Sequence, residues 1–429
     1  MIAAATKTNP VPNTSHKVVL PFYIFAALSF LASVILMIFS TTAFTQHYFN
    51  PHVLAITHVM ALGWGTMIIL GASHQLVPVL IEGKLFSNAL ASISFALAAV
   101  GIPLLVYSFF VFDMGLPARC GGILINAAIL SYIINLAVSI SKSRNENVHA
   151  VFVVTAACWL LATAMAGLLL IYNFEYPLLS GNSLSYLPLH AHLGIIGWFL
   201  LLIIGVGSRL IPLFLISKYN NTKLLWAIYL LINIGILAFI GLFLYFPITF
   251  FYLLPVIFVL TGVLLFGYYC YQSYKKRIRK QVDEQMKISI LSVLMTVLPL
   301  LMLIIIIGFT LAVSNNAGLV MTYGFMIFFG WITAIILGMT FKTLPFIVWN
   351  KVYHKRSGLG QTPNPKELFS STVFRGMAIA YLAGFVLFAA GILLSNLLVL
   401  KTASMFLLIA AVLYNLNVFK IIVHQPAAK

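Results

Sequence analysis

The residues of this chain best equipped for chemistry are its histidines, since neutral imidazole binds metals and its charge changes near neutral pH. Three stand where packing does not ask for them. In LHAHLGIIGWFLLLIIGVGSRLIPLF, His190 and His192 lie one residue apart at the mouth of a long apolar run, and His58 opens a similar run. An ionisable group at membrane depth is costly, so its presence points to function. Two residues along a helix turn about 200°, so His190 and His192 face nearly opposite sides and one helix can serve two sites.

The other histidines are placed less suggestively. His74 stands four residues before Pro78, at the far end of the run that His58 opens, where a capping or proton-surface role fits. His16, His149, His354 and His424 fall in loops or termini and are expected to be solvated. His47 and His52, in the loop before the His58 run, are candidates for copper or for an anionic group. The carboxylates Glu82, Asp113, Glu146, Glu175, Asp283, Glu284 and Glu367 all fall in loops or at the ends of apolar runs. A coupled transporter usually buries an acid in mid-membrane, which weakens that reading. Cys120, Cys158 and Cys270 form no CxxC or CxxCH, so disulfides, thiolate metal sites and a covalently attached c-type haem are not expected.

These side chains are positioned by membrane helices. The chain is 62% hydrophobic and 7% charged over 429 residues, a composition outside that of water-soluble domains. Twelve stretches are long enough to cross a bilayer, starting near residues 20, 55, 88, 121, 150, 190, 223, 249, 288, 319, 374 and 397. The net charge of +17 follows topology rather than nucleic acid. With both termini in the cytoplasm, of all the Lys and Arg only Arg119 and Lys401 fall outside, as the positive-inside rule requires. The start, MIAAATKTNPVPNTSHK, is polar, so residues 1–19 read as a cytoplasmic N-terminal segment rather than a cleavable signal. The expectation is one membrane domain, 1–429, of the bacterial inner membrane type.

Three spans share one pattern: H58-VMAL-GW-GTMIIL-G-ASHQLV-P, H192-LGII-GW-FLLLII-G-VGSRLI-P and F325-MIFF-GW-ITAIIL-G-MTFKTL-P. Trp64, Trp198 and Trp331 are 134 and 133 residues apart, so the chain reads as an all-α protein of three pseudo-symmetric four-helix repeats. The motif helices are expected near 55–79, 190–215 and 319–347. Their glycines let helices approach closely, and Pro78, Pro212 and Pro345 are expected to end them. Nothing in such a scaffold requires the imidazoles. His58 and His192 occupy one slot of two repeats, and Tyr323 occupies the slot of His190.

Twelve helices in three repeats, a histidine near the outer end of helix 2, and an H-x-H followed by spaced glycines and a terminal proline resemble subunit I of the haem–copper oxidase superfamily, especially its nitric oxide reductase and cbb3-like members. The His192 to Arg209 segment is also similar to that of NnrS-type haem-copper membrane proteins linked to nitric oxide tolerance. The resemblance implies that His58 and His192 hold a bis-imidazole haem b, and that His190 faces a second haem or a metal. Arg119 would meet outward-facing haem propionates, a bidentate geometry that guanidinium favours. Tyr323 would be an interface tyrosine, with ligand or hydrogen-bond donor as alternatives.

The pattern departs from the family in two places. The H-x-H stands on helix 6 rather than helix 10, and helix 7, KLLWAIYLLINIGILAFIGLF, lacks the family's copper-site histidines. Copper therefore has no full ligand set, and oxygen reduction at a standard dinuclear centre and proton pumping are not expected. The leading expectation is a haem-binding membrane redox protein in respiratory electron transfer, or in reduction or detoxification of nitric oxide or oxygen, with a cytochrome or quinol as electron donor and oxidoreductase activity left open. A non-catalytic haem or copper protein of this fold, and a transporter of an uncharged solute, are the alternatives.

Overall fold

The computed structural model describes residues 14–80, 83–142, 147–278, 280–312, 317–353 and 362–426. His354, Glu82, Arg144 and Glu146 lie outside them. Among the described residues the regular structure is helical, and twelve helices are long and apolar enough to cross a membrane. They are α1 (His16–Phe39), α2 (Pro51–Pro78), α3 (Asn88–Val111), α4 (Leu116–Ser141), α5 (Val148–Asn173), α6 (Ser183–Leu215), α7 (Thr222–Tyr245), α8 (Thr249–Lys275), α9 (Glu284–Ala312), α10 (Ala317–Tyr353), α11 (Ser371–Leu393) and α12 (Leu397–Ile422). The chain is thus an all-α, multi-pass membrane protein.

Several helices start up to a turn or two before their apolar run. The extra residues follow polar caps: Asn50 accepts from the backbone N–H of His52, Asn147 from His149, and Asp283 from Met286. A cap satisfies an end N–H that has no partner within the helix, so helix begins at the cap and not where hydropathy rises.

Each repeat is built alike. Its first helix packs on its second (α1 on α2, α5 on α6, α9 on α10), and its third and fourth form an antiparallel hairpin (α3–α4, α7–α8, α11–α12). The ring closes where α12 packs on α1, with Asn415 donating to the carbonyl of Ala27 at 2.9 Å. The motif helices α2, α6 and α10 form the inner layer: their most apolar windows are 67%, 72% and 72% buried, against 22–50% for the other nine. The outer helices turn large apolar side chains such as Leu230, Ile257 and Ile379 outward, as a lipid-facing surface requires.

Glycine makes the close approach possible. A Cβ at Gly71 would overlap Phe22 of α1, one at Gly205 would overlap Phe152 of α5, and one at Gly338 would overlap Ser289 of α9. The three prolines behave differently from expectation. Helix continues past Pro78 to Leu80, past Pro212 to Leu215 and past Pro345 to Tyr353. A proline removes one N–H and crowds the preceding turn, but neighbouring helices hold the segment in place, so the helix carries through.

A second feature of the motif helices is absent from the sequence pattern. Each widens into a π-helical stretch directly after the histidine slot: Val59–Thr66, Leu193–Leu200 and Met326–Ile332. Such stretches are rare and favour functional sites.

Tryptophans tie the inner layer together at this level. The indole N–H of Trp64 donates to Thr333 and that of Trp198 to Thr66, both at 3.1 Å. In each case the acceptor stands two residues after the tryptophan of another repeat. The corresponding position after Trp198 is Leu200, which offers no side-chain acceptor.

Candidate functional site

The imidazoles lie at the end of the bundle opposite the basic face that carries Lys275, Lys276 and Arg277. α2 and α6 both enter from that end, which puts His58 and His190 at similar depth. Their rings stand with centroids 6.3 Å apart and planes inclined by 15°. The sequence expectation paired His58 with His192. The structure instead brings His58 to His190, because the slot of one repeat faces the position two residues earlier in the next repeat.

The same rule holds at the following interface. His192 of α6 faces Tyr323 of α10, with centroids 5.9 Å apart and the hydroxyl 3.1 Å from Nε2. The slots also share a neighbour, a phenylalanine from the third helix of the same repeat. His58 meets Phe109 at 4.6 Å, His192 meets Phe239 at 5.0 Å and Phe325 meets Phe388 at 4.7 Å. Tyr323 is therefore a hydrogen-bond donor and not a bystander at the interface.

Hydrogen bonds fix which nitrogen each ring offers. Nδ1 of His58 lies 2.8 Å from the Leu54 carbonyl, Nδ1 of His190 lies 3.0 Å from that of Thr163, and Nδ1 of His192 lies 2.7 Å from that of Pro188. A carbonyl only accepts, so Nδ1 carries the proton in each and Nε2 keeps its lone pair. In His192 that lone pair accepts from Tyr323. For His58 and His190, no hydrogen bond to Nε2 is present among the described residues. Anchoring one ring nitrogen on a carbonyl while leaving the other open is how proteins orient metal-binding imidazoles.

Both residues are half-buried. His190 also needs room behind it: a Cβ at Gly167 of α5 would come within 2.9 Å of its ring. Among the described residues, no three His, Cys, Asp or Glu side chains gather where one metal ion could bind them. The pair by itself offers two open ring nitrogens.

Arg119 is engaged elsewhere. It pairs with Glu175 and sits 5.2 Å from the Tyr172 ring and 5.1 Å from the Tyr176 ring. The carboxylate it meets here belongs to its own chain.

The remaining histidines fall into separate settings. His149, expected in solvent, is buried at the start of α5, with Nδ1 2.9 Å from Ser208 of α6. His424, also expected in solvent, bonds the Tyr353 hydroxyl at 2.9 Å. His74 is buried between Phe22 and Tyr132 with neither nitrogen paired, in place of the expected cap or surface group. His52 stacks on Phe110 at 4.4 Å and His47 accepts from the Phe49 N–H. The described carboxylates keep to helix ends and loops: Asp283 pairs with Lys342, Glu284 with Arg375 and Asp113 with the Gly115 N–H.

No family model matches the chain, and no curated protein matches it.

Proposed function

We propose that the chain is a haem-binding redox protein of a bacterial inner membrane, with both termini cytoplasmic, and that His58 and His190 would hold one haem b. The observation that carries this reading is the parallel pair at 6.3 Å with both Nε2 atoms open. One metal ion about 2 Å from a nitrogen of each ring would hold the centroids roughly 6 Å apart. A bare divalent ion wants four or more ligands, and no third ligand is at hand among the described residues. Haem iron takes four from the macrocycle and needs only two from the protein, which is what this pair offers. Copper lacks a ligand set here for the same reason.

The haem would supply one-electron iron chemistry. This chain's residues would do the rest: the carbonyls of Leu54 and Thr163 orient the imidazoles, and Gly167 and Phe109 set the ring positions. Held by both His58 and His190, the group would supply electron transfer, with a cytochrome or quinol as donor. Reduction or detoxification of nitric oxide or oxygen needs a second centre, and His192 with Tyr323 is the place from which one would be built.

The test is an ultraviolet–visible spectrum with haem and metal analysis of protein expressed with ample haem. One haem per chain and a low-spin bis-histidine spectrum are expected. A colourless, metal-free wild-type protein overturns the proposal and leaves the transporter reading.

A further inference from the structure

Below the tryptophans, on the basic-face side, the three motif helices border a partly open cavity of about 110 Å³. It is walled by Ile69 and Ala72 of α2, Ile203 and Val206 of α6, and Ile336 and Met339 of α10, with others alongside. Its lining begins about ten residues beyond the histidine slots, roughly 15 Å along the helices. It is therefore distinct from the imidazole pair, and the Trp64–Thr333 and Trp198–Thr66 bonds lie between them.

The polar groups on this wall face other duties. Tyr23 donates to Thr343, whose own hydroxyl donates to the Met339 carbonyl. Ser73 donates to the Leu70 carbonyl, and Thr340 accepts from Tyr414. No charged side chain lines the space. Water in a cavity needs two to four polar partners, and an apolar cavity of about 150 Å³ stays dry and takes up benzene or xenon. One side is walled by Phe266 of α8 and Val293 of α9, which stand on either side of the boundary between repeats two and three.

We propose that this cavity is a binding site for a small, uncharged, apolar molecule, no larger than a benzene ring. The residues suit no ion, no sugar and no hydrogen-bonding solute. The proposal is independent of the haem reading, because its readouts involve no haem.

Purified protein in nanodiscs is exposed to xenon and followed by 129Xe resonance, and separately to benzene and followed by thermal unfolding. Wild type is expected to show a saturable bound-xenon signal and a benzene-dependent rise in Tm. Ala72→Leu and Val206→Phe fill the space from two different helices, and each should remove both effects. Leu230→Phe, on the lipid-facing side of α7, should change neither. Bound xenon that both fillers leave unchanged overturns the proposal. So does a high-resolution map in which ordered water or a lipid acyl chain fills the cavity. Should a filler variant fail to fold, the other filler and the map still decide.

Discussion

The two nitrogens of each imidazole have separate tasks, and that separation makes the histidines testable one at a time. Replacing His58 or His190 with Ala removes one open Nε2 and should abolish the low-spin haem spectrum. His192→Ala removes the bonds to Tyr323 and to the Pro188 carbonyl but touches neither His58 nor His190, and should leave that spectrum in place. A spectrum lost with His192 and kept without His190 would restore the pairing of equivalent slots that the sequence suggests. Gly167→Leu tests the backing of the ring. Its side chain would occupy the place of His190, so haem content should fall several-fold while the oligomeric profile on size exclusion stays unchanged. The residues themselves were legible in the sequence, because imidazoles in an apolar run are conspicuous. Their partners were not. Pairing depends on which face of one helix meets which face of the next, and a repeat of about 134 residues carries no information about the order around the ring.

At the level of single helices, hydrogen bonds and close approaches make different demands. Thr66→Val and Thr333→Val each leave one buried indole N–H without its acceptor, a loss of about 1 kcal/mol in a membrane setting. Gly71→Leu drives a side chain into Phe22, and overpacking of this kind costs about 1–3 kcal/mol. Unfolding titrations in mixed micelles should therefore rank the glycine variant below both threonine variants. The π-helical stretches yield a sharper test. Deleting Leu193 removes the extra residue of that stretch, and the segment before it rotates by about 100°. Both imidazoles of α6 would then leave their partners, so haem should be lost although the protein still inserts. Hydropathy showed all twelve spans but not these stretches, since one added residue leaves an apolar run equally apolar. It also set several starts too late, because caps such as Asn50 and Asp283 are polar and lie outside the run.

Across the whole molecule, the charge distribution sets one face against the other. Lys275, Lys276 and Arg277 share an end of the bundle, while Arg119 and Lys401 stand at the opposite end. In a cysteine-free background, Lys401→Cys should react with an impermeant thiol reagent added outside cells. Lys275→Cys should react only after lysis, and the reverse pattern would invert the topology. The four-helix repeat was legible from the G-W-x6-G motif. Its closure into a ring, with Asn415 of α12 bonded to α1, was not, since it joins residues 388 positions apart.

That ring has a consequence for how the protein came to hold chemistry at all. Three copies of one unit produce three equivalent sockets, each shaped by a slot residue, its phenylalanine and a residue from the next copy. One is furnished with His58 and His190, one with His192 and Tyr323, and the third carries Phe325 packed on Phe388, the same two-residue offset in sequence leading to Ile56. The residue at each slot decides whether its socket offers an imidazole or a phenyl ring. Phe325→His together with Ile56→His should furnish the third with imidazoles, and a second haem per chain would be its measure.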